Sequence, residues 1–521
     1  MNPIESEALG AFQEQIASHQ IDRRRLLKVV GIGAAATVAA CTNSSSTATN
    51  SGAVATTTIP AAAVPTTGPY VAPPEPWIDG KPYWLQNNFA PVVDQIDATN
   101  LTVVGTIPPE LTGLYVRNGA NPLKADSPHW FFGDGMMHGL RLDAGKASWY
   151  KNRYVKTPQF RREDGDPSAP PASAAPGKQD HQANTSMLWF AKKLLALEEV
   201  GWPYEISPTD LGTVGAWSAN DALPASFTAH PKVNPTTGQL HYFGYGFVAP
   251  FLTYGVMDPD GTVVTQVEIP VKGATMMHDF AITDQEAVFW ELPVVFDLQL
   301  AIKGDNPFVW QPSYGARLHV IPLDGDVTKM RSVEIPPCMV FHGVNAFRDG
   351  TKIVIDVCRL DKAFASDGDG LGTTNDLRRW TIETADPDTL VWSESILTGK
   401  ALDLPTIDKR YTGVKHRYSW MVGTRSTEHA FEFSGLTRWD YANNTGDVWD
   451  PGPAVSTGEG LFVPAGKNEG DGWVMTFGND KRDGKSRLLI LDATAMSKGP
   501  VATVEIPQRV PFGFHATWVP E

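Results

Sequence analysis

Three observations predict an all-β fold built from radially repeated antiparallel meanders, as in a β-propeller. From about residue 77 to 521, short runs of β-branched and aromatic residues recur between turn signals, and no sustained amphipathic helical period competes with them. The 47 Gly and 41 Pro among 521 residues fall mostly singly between those runs, which suits many strands and turns. Roughly 445 residues pass without a second shift in composition. A unit of that size must hide its strand edges, which radial repetition does better than an open sheet.

The elements follow in order. Residues 239–245, QLHYFGY, read as a strand; Asp258-Pro259-Asp260-Gly261 turns the chain into Thr262-Val263-Val264. Residues 352–357, KIVIDV, follow a turn at Asp349-Gly350, and 473–478 and 487–492 flank a polar turn near the end. Residues 161–180 and 361–376, rich in Gly, Pro, Ser and Asp, are expected as mobile surface loops. The internal repeat is too weak to fix the number of blades.

Lys and Arg total 43 against 58 Asp and Glu, a formal charge of −15, and the only basic cluster lies at the N-terminus. Nucleic acid is therefore not an expected partner. Three cysteines, Cys41, Cys338 and Cys358, exclude a disulfide scaffold and a four-cysteine metal site. Cys338 and Cys358 flank a hairpin and could pair; two buried reduced thiols is the reading favoured by the preference of free cysteine for the interior.

Residues 1–41 read as an export address. Arg23-Arg24-Arg25 precedes an apolar run of about a dozen residues and a small-residue junction. The run is too short to span a bilayer comfortably. Arg23-Arg24 with Arg25-Leu26-Leu27-Lys28 resembles the twin-arginine signal, which implies export of an already folded chain by that machinery. Val38-Ala39-Ala40-Cys41 resembles a bacterial lipobox, which implies a lipid on Cys41; a chance cysteine behind an ordinary cleavage site is the alternative. Residues 42–76, dominated by Ser, Thr, Ala, Gly and Pro, bury too little apolar surface to offset ordering and are expected as a tether. The folded body is expected over 77–521, held in the cell envelope by a lipid anchor or, without one, soluble outside the cytoplasm.

Of the 12 histidines, four adjoin apolar or aromatic strand-like runs: His230 in FTAHP, His278 in MMHDF, His342 in VFHGVNAF and His515 in GFHATW. They form no HxxxH or HExxH pair. Gaps of 48 and 64 residues separate the first three, which suits ligands delivered to a common axis by different blades rather than a local finger. These contexts, together with Asn118-Gly119-Ala120-Asn121-Pro122 and the run HWFFGDGMMHG from His129 to Gly139, resemble the carotenoid cleavage dioxygenase family, which also includes stilbene-cleaving enzymes and a retinoid isomerase branch. The resemblance covers roughly 77–521. It implies a seven-bladed β-propeller with one axial Fe(II) per chain, capped by a dome of loops and helix around a hydrophobic substrate tunnel.

By this resemblance the iron ligands fall on His230, His278, His342 and His515. Four neutral imidazoles leave the ion its full charge and leave positions open for dioxygen. Each ligand needs an acceptor for its other ring N–H, and the resemblance puts carboxylates behind three of the four: Glu199, Glu459 and Asp403. Many members carry Glu in place of Asp403, so this shorter side chain must come closer through its backbone or act through water. A solvated loop acid is the alternative for all three. Thr185 falls where a methyl group obstructs the iron's sixth position, the alternative being an ordinary strand residue. His129 and His138 are not ligands in the family and are expected to be structural.

The implied reaction inserts both atoms of O2 across a C=C bond of a carotenoid or apocarotenoid, giving two carbonyl products. No GxGxxG motif precedes a helix, in keeping with chemistry that needs no nicotinamide or flavin. Residues 247–252 and 292–298 are candidate tunnel walls, or core. Glu198 stands where stilbene-cleaving members carry a Lys that helps recognise a phenol, which favours a carotenoid substrate over a stilbene. A non-catalytic, lipid-binding envelope propeller would predict a disrupted histidine set, and all four contexts are intact here. A hydrolase or isomerase on the same frame are further alternatives.

Overall fold

The computed structural model describes residues 77–172, 178–224, 226–303, 305–365, 375–427 and 430–521. The export address with Cys41 and the tether, 1–76, lie outside the described residues. Seven antiparallel sheets form the blades of a β-propeller, as the sequence predicts. Blades 2 to 6 are single meanders over 186–216, 232–268, 280–335, 339–398 and 402–449. Blades 1 and 7 close the ring from both ends of the chain. The C-terminal strand Ala516–Pro520 pairs with Gly113–Arg117 in blade 1, and Val103–Gly105 pairs with Pro500–Ile506 in blade 7. Double closure of this kind hides the strand edges that an open sheet would expose.

Local sequence explains the layers within a blade. In blade 3, Leu240–Tyr245 is buried throughout, whereas the outermost strand Val263–Glu268 alternates between half-buried and exposed residues, the pattern of a strand with one wet face. The turn between its second outer pair closes when Gly261, at a φ of 91°, donates its N–H to Asp258 O (2.8 Å). Apolar side chains fill the gaps between adjacent blades. The largest cluster joins blades 3, 4 and 5 through Phe243, Phe280, Phe289, Trp290 and Trp380. Cys338 and Cys358 are buried free thiols, and burial pushes Cys338 up to about 12.

Two segments expected as loops are held by regular structure or burial at their described ends. Segment 161–180 begins inside the helix Pro158–Glu163, capped by Thr157, whose side chain accepts from Phe160 N. Arg162 then holds the buried Asp180 through two hydrogen bonds of 2.6 and 2.9 Å, so both ends are anchored. Segment 361–376 buries Ala363 and Phe364 in the main apolar cluster and ends in the strand Asn375–Glu383. The parts between, 173–177 and 366–374, lie outside the described residues. Within blade 4, the chain leaves the sheet over 292–315 to form the pair Val294–Phe296 and Phe308–Trp310 with the short helix Leu298–Lys303 between them. With the segment around Trp130, this excursion supplies part of the wall of an axial cavity. Among the described residues, no helix is long and apolar enough to cross a membrane.

Candidate metal centre and substrate cavity

Each of the four histidines stands where the axial strand of a blade begins or is irregular. His230 precedes Lys232–Val233 in blade 3, His278 precedes Phe280–Ile282 in blade 4, and His515 precedes Ala516–Pro520 in blade 1. His342 lies within Met339–Asp349 of blade 5, where the register shifts between Val340 and Gly343. A bulge of this kind re-aims a side chain. Asp279 ties three of these entrances together. Its carboxylate accepts from Phe280 N and Gly343 N (both 2.8 Å) and pairs with Lys232 Nζ (2.7 Å), linking blades 3, 4 and 5 beside the rings.

One nitrogen from each of the four rings lies within 4.8 Å of the others. His230 Nε2 is 3.0 Å from His278 Nε2, which is 3.3 Å from His342 Nε2. On the far side of the rings, His278 Nδ1 meets Glu199, His342 Nδ1 meets Asp403 Oδ1 at 2.7 Å, and His515 Nδ1 meets Glu459 Oε1 at 2.8 Å. A carboxylate opposite Nδ1 puts the proton there and leaves Nε2 as a bare lone pair. Lone pairs facing one another at about 3 Å repel unless a cation lies among them. That spacing is about what two imidazoles at right angles on a metal ion have, with bonds of about 2.1 Å. The donor set therefore fits a divalent metal, for which neutral imidazoles are the commonest ligands.

The carboxylates are themselves held. Tyr245 Oη donates to Glu199 Oε2 (2.5 Å), Asn375 Nδ2 and Leu404 N donate to Asp403 (2.8 Å each), and Ala516 N donates to Glu459 Oε2 (2.7 Å). Asp403 compensates for its missing methylene through the backbone. Leu404 takes a left-handed φ of 47°, and the register shifts between Asp403 and Thr406, which carries the carboxylate to the ring without an intervening water. Burial and the neighbouring rings push His230 well below its ordinary value, and burial lowers His342 despite Asp403. Burial would lower His278 too, but Glu199, with Asp279 and Asp403 behind it, raises it. Among the described residues, His230 alone of the four has no carboxylate behind it.

A cavity of about 340 Å³ opens on one side of the rings, lined by His278, His342, His515 and Thr185 at its metal end and by aromatic side chains beyond. Trp130 packs on Phe514 with centroids 4.8 Å apart, and Phe131 meets Phe341 edge-on at 5.9 Å. The Thr185 hydroxyl donates to Asn184 Oδ1 (2.9 Å), leaving the methyl as its free arm. The opposite side of the rings faces a smaller cavity of about 190 Å³ reached by the charged Lys232, Asp279 and Lys409.

The structure thus brings together all four histidines, Glu199, Asp403, Glu459 and Thr185. It does not place 247–252 or 292–298 in the cavity wall. Phe247 stacks on Phe296 at 4.0 Å, and Leu252, Leu292 and Val294 are buried in the main core. The walls come instead from Trp130, Phe131, Phe341, Phe431, Phe433 and Phe514, of which the first two and Phe341 and Phe514 adjoin the motifs that single out the site. Sequence reading also passes over Tyr245, Asn375 and Asp279. Only Asp279 offers a local signal, an acid next to a ligand histidine. His138 and His129 are structural, as expected: His138 Nδ1 bonds Tyr150 Oη (2.7 Å), and His129 Nδ1 accepts from Phe131 N (3.2 Å).

The family described as Retinal pigment epithelial membrane protein matches residues 89–520. Among characterised relatives, the carotenoid 9,10(9′,10′)-cleavage dioxygenase 1 of Pisum sativum is 35% identical, the match covering 84% of this chain and 90% of that one. The carotenoid cleavage oxygenase of Mycobacterium tuberculosis is 34% identical, over 84% of this chain and 97% of the other. Among solved structures, the lignostilbene dioxygenase of Pseudomonas brassicacearum superposes with a TM-score of 0.76 at 26% identity, over 86% of this chain and all of that one.

Proposed function

This chain belongs to the carotenoid oxygenase family, and on that premise we propose that it is a non-haem Fe(II) dioxygenase cleaving one C=C bond of a carotenoid or apocarotenoid with O2. The observation that carries the proposal is the convergence of four imidazole lone pairs on one point at the end of an aromatic cavity. His230, His278, His342 and His515 would hold one iron, and Glu199, Asp403 and Glu459 would keep three of the rings in the ligating tautomer. Bound Fe(II) would supply the redox chemistry that lets dioxygen react with an alkene.

The remaining tasks belong to the protein. Aromatic walls bind the apolar substrate, each Å² of buried apolar area contributing about 25 cal/mol. The Thr185 methyl narrows the approach to the metal end of the cavity so that dioxygen takes one side of the alkene. One C=C and one O–O bond break and two C=O bonds form, so atoms balance between the two substrates and no side chain must deliver a proton. The likeness to a lignostilbene dioxygenase keeps a stilbene-type substrate as the second reading.

Export completes the proposal. Folding around Fe(II) in the cytoplasm, followed by twin-arginine export, avoids competition from more tightly binding divalent ions outside. A lipid on Cys41 would hold the enzyme beside the membrane that dissolves its substrate. Mass analysis of the mature N-terminus tests this part, and a soluble, unlipidated protein would remove the anchor. The reaction itself is tested by O2 uptake of the iron-loaded protein with a panel of apocarotenoids and hydroxystilbenes, following carbonyl products by mass. Polyene cleavage supports the proposal, and no uptake by protein holding one iron per chain would refute it.

A further inference from the structure

We propose that Glu198 is a specificity-determining residue whose carboxylate accepts a hydrogen bond from a substrate hydroxyl, so that the cavity selects a hydroxylated polyene over its ether or carboxylate counterpart. This rests on the dioxygenase reading and names a chemical feature of its substrate. Every hydrogen bond of Glu198 falls on one oxygen. Oε2 bonds His181 Nδ1 (2.6 Å) and accepts from Gln182 N (2.7 Å) and Ala183 N (2.8 Å). His181 is fixed in turn by Trp202 O at 2.9 Å. The backbone N–H groups of Gln182 and Ala183 hold Oε2 in place, and the contacts on Oε2 leave Oε1 without a partner in a residue that lines the substrate cavity next to Glu199.

Neighbouring polar groups of the same wall are already engaged. Asn184 Nδ2 donates to Phe131 O and Gly133 O, the Thr185 hydroxyl donates to Asn184, and the Tyr245 hydroxyl donates to Glu199. Glu198 Oε1 is left as a fixed acceptor on a cavity wall whose larger part is apolar. A polyene alcohol can donate to it. An ether or aldehyde oxygen cannot, and a carboxylate meets like charge. A fixed polar group that goes unpaired when the wrong ligand binds is the strongest form of discrimination a largely apolar pocket has.

The Glu198→Gln variant turns this geometry into a test. The amide oxygen must stay with the Gln182 and Ala183 N–H donors, so the amide NH2 takes the place of Oε1 and offers a donor where the wild type offers an acceptor. Binding of a C20 polyene alcohol, its methyl ether, aldehyde and carboxylate is measured without O2 through quenching of tryptophan fluorescence, Trp130 lying in the wall. The wild type should bind the alcohol about 10-fold more tightly than the ether, with the carboxylate weaker still. In Glu198→Gln the alcohol-to-ether ratio should fall to near one and the aldehyde should bind at least as well as the alcohol. Equal binding of alcohol and ether by the wild type, or an unchanged ratio in the variant, overturns the proposal; the wild-type series decides alone if the variant does not fold. Alcohol preference without cleavage of any polyene would defeat the dioxygenase reading and leave this inference standing. Cleavage without the preference would do the reverse, and failure of all four compounds to bind would defeat both.

Discussion

Blade 3 carries two histidines with opposite surroundings. His241, in the strand Leu240–Tyr245, bonds Tyr254 Oη through Nδ1 at 2.7 Å, inside its own blade. His230, at the axial end of the same blade, points Nε2 at His278 of the next blade at 3.0 Å. Burial pushes both below the ordinary imidazole value, His241 to about 4 and His230 well down, with the neighbouring rings adding to the effect on His230. The inner arrangement recurs: His138 bonds Tyr150 in blade 1, and His319 sits between Ser332 Oγ (2.7 Å) and Glu291 (2.9 Å) in blade 4. These three structural histidines are each served by their own blade. A histidine destined for a ligand is aimed across the axis, at other lone pairs, and for His278, His342 and His515 a carboxylate from a different blade sets the tautomer.

Replacing one member of the axial set should have the largest effect. His342→Ala is expected to lose iron and cleavage together, as read by elemental analysis and O2 uptake, whereas His241→Phe should keep one iron per chain. A fully active, iron-replete His342→Ala protein would erase the distinction between the two classes. Asp403→Asn, which weakens the acceptor behind His342, should lower iron affinity about 10- to 100-fold in a chelator competition. Unchanged affinity would mean that the 2.7 Å contact orients nothing.

Smaller effects separate the classes by stability. Iron at 100 times its dissociation constant should stabilise the wild type by about 2.7 kcal/mol in thermal or denaturant unfolding. His241→Phe should keep that increment and His342→Ala should lack it. Removing His241 leaves Tyr254 Oη with its bond to Leu323 O (2.9 Å) but without its imidazole, so the expected cost is about 1 kcal/mol. The buried histidines outside the axis also predict a pH dependence. His129 and His241 lie at about 4 and His416 at about 3, each lowered by burial, so below pH 6.5 the unfolded chain binds more protons than the native one. Their contribution is complete above pH 6.5 and is lost as pH falls toward 4, so the denaturation midpoint should drop over that window and drop less in His241→Phe.

The same contrast explains what could be read from the sequence. The strand runs and the four histidine contexts were legible because each has a local signature of apolar run, turn residue or motif. The direct reach of Asp403 was not, because it depends on a left-handed Leu404 and a register shift that no residue type announces. The cavity walls were misassigned for a related reason. Leu292 and Val294 in the core and Phe341 in the wall belong to similar apolar runs, and only the packing tells which face meets another blade and which meets a void. Tyr245 and Glu199 are 46 residues apart and meet through the arrangement of blades 2 and 3, beyond any local pattern. The helix after Thr157-Pro158 was within reach, since a capping Thr followed by Pro is a helix start signal.

The most direct test of the account is anomalous diffraction at the iron edge from crystals of the iron-loaded protein. It predicts a single strong peak among the Nε2 atoms of His230, His278, His342 and His515, with none beside His138, His241 or His319. An axial position without a peak, in crystals shown to contain iron held elsewhere, would contradict it.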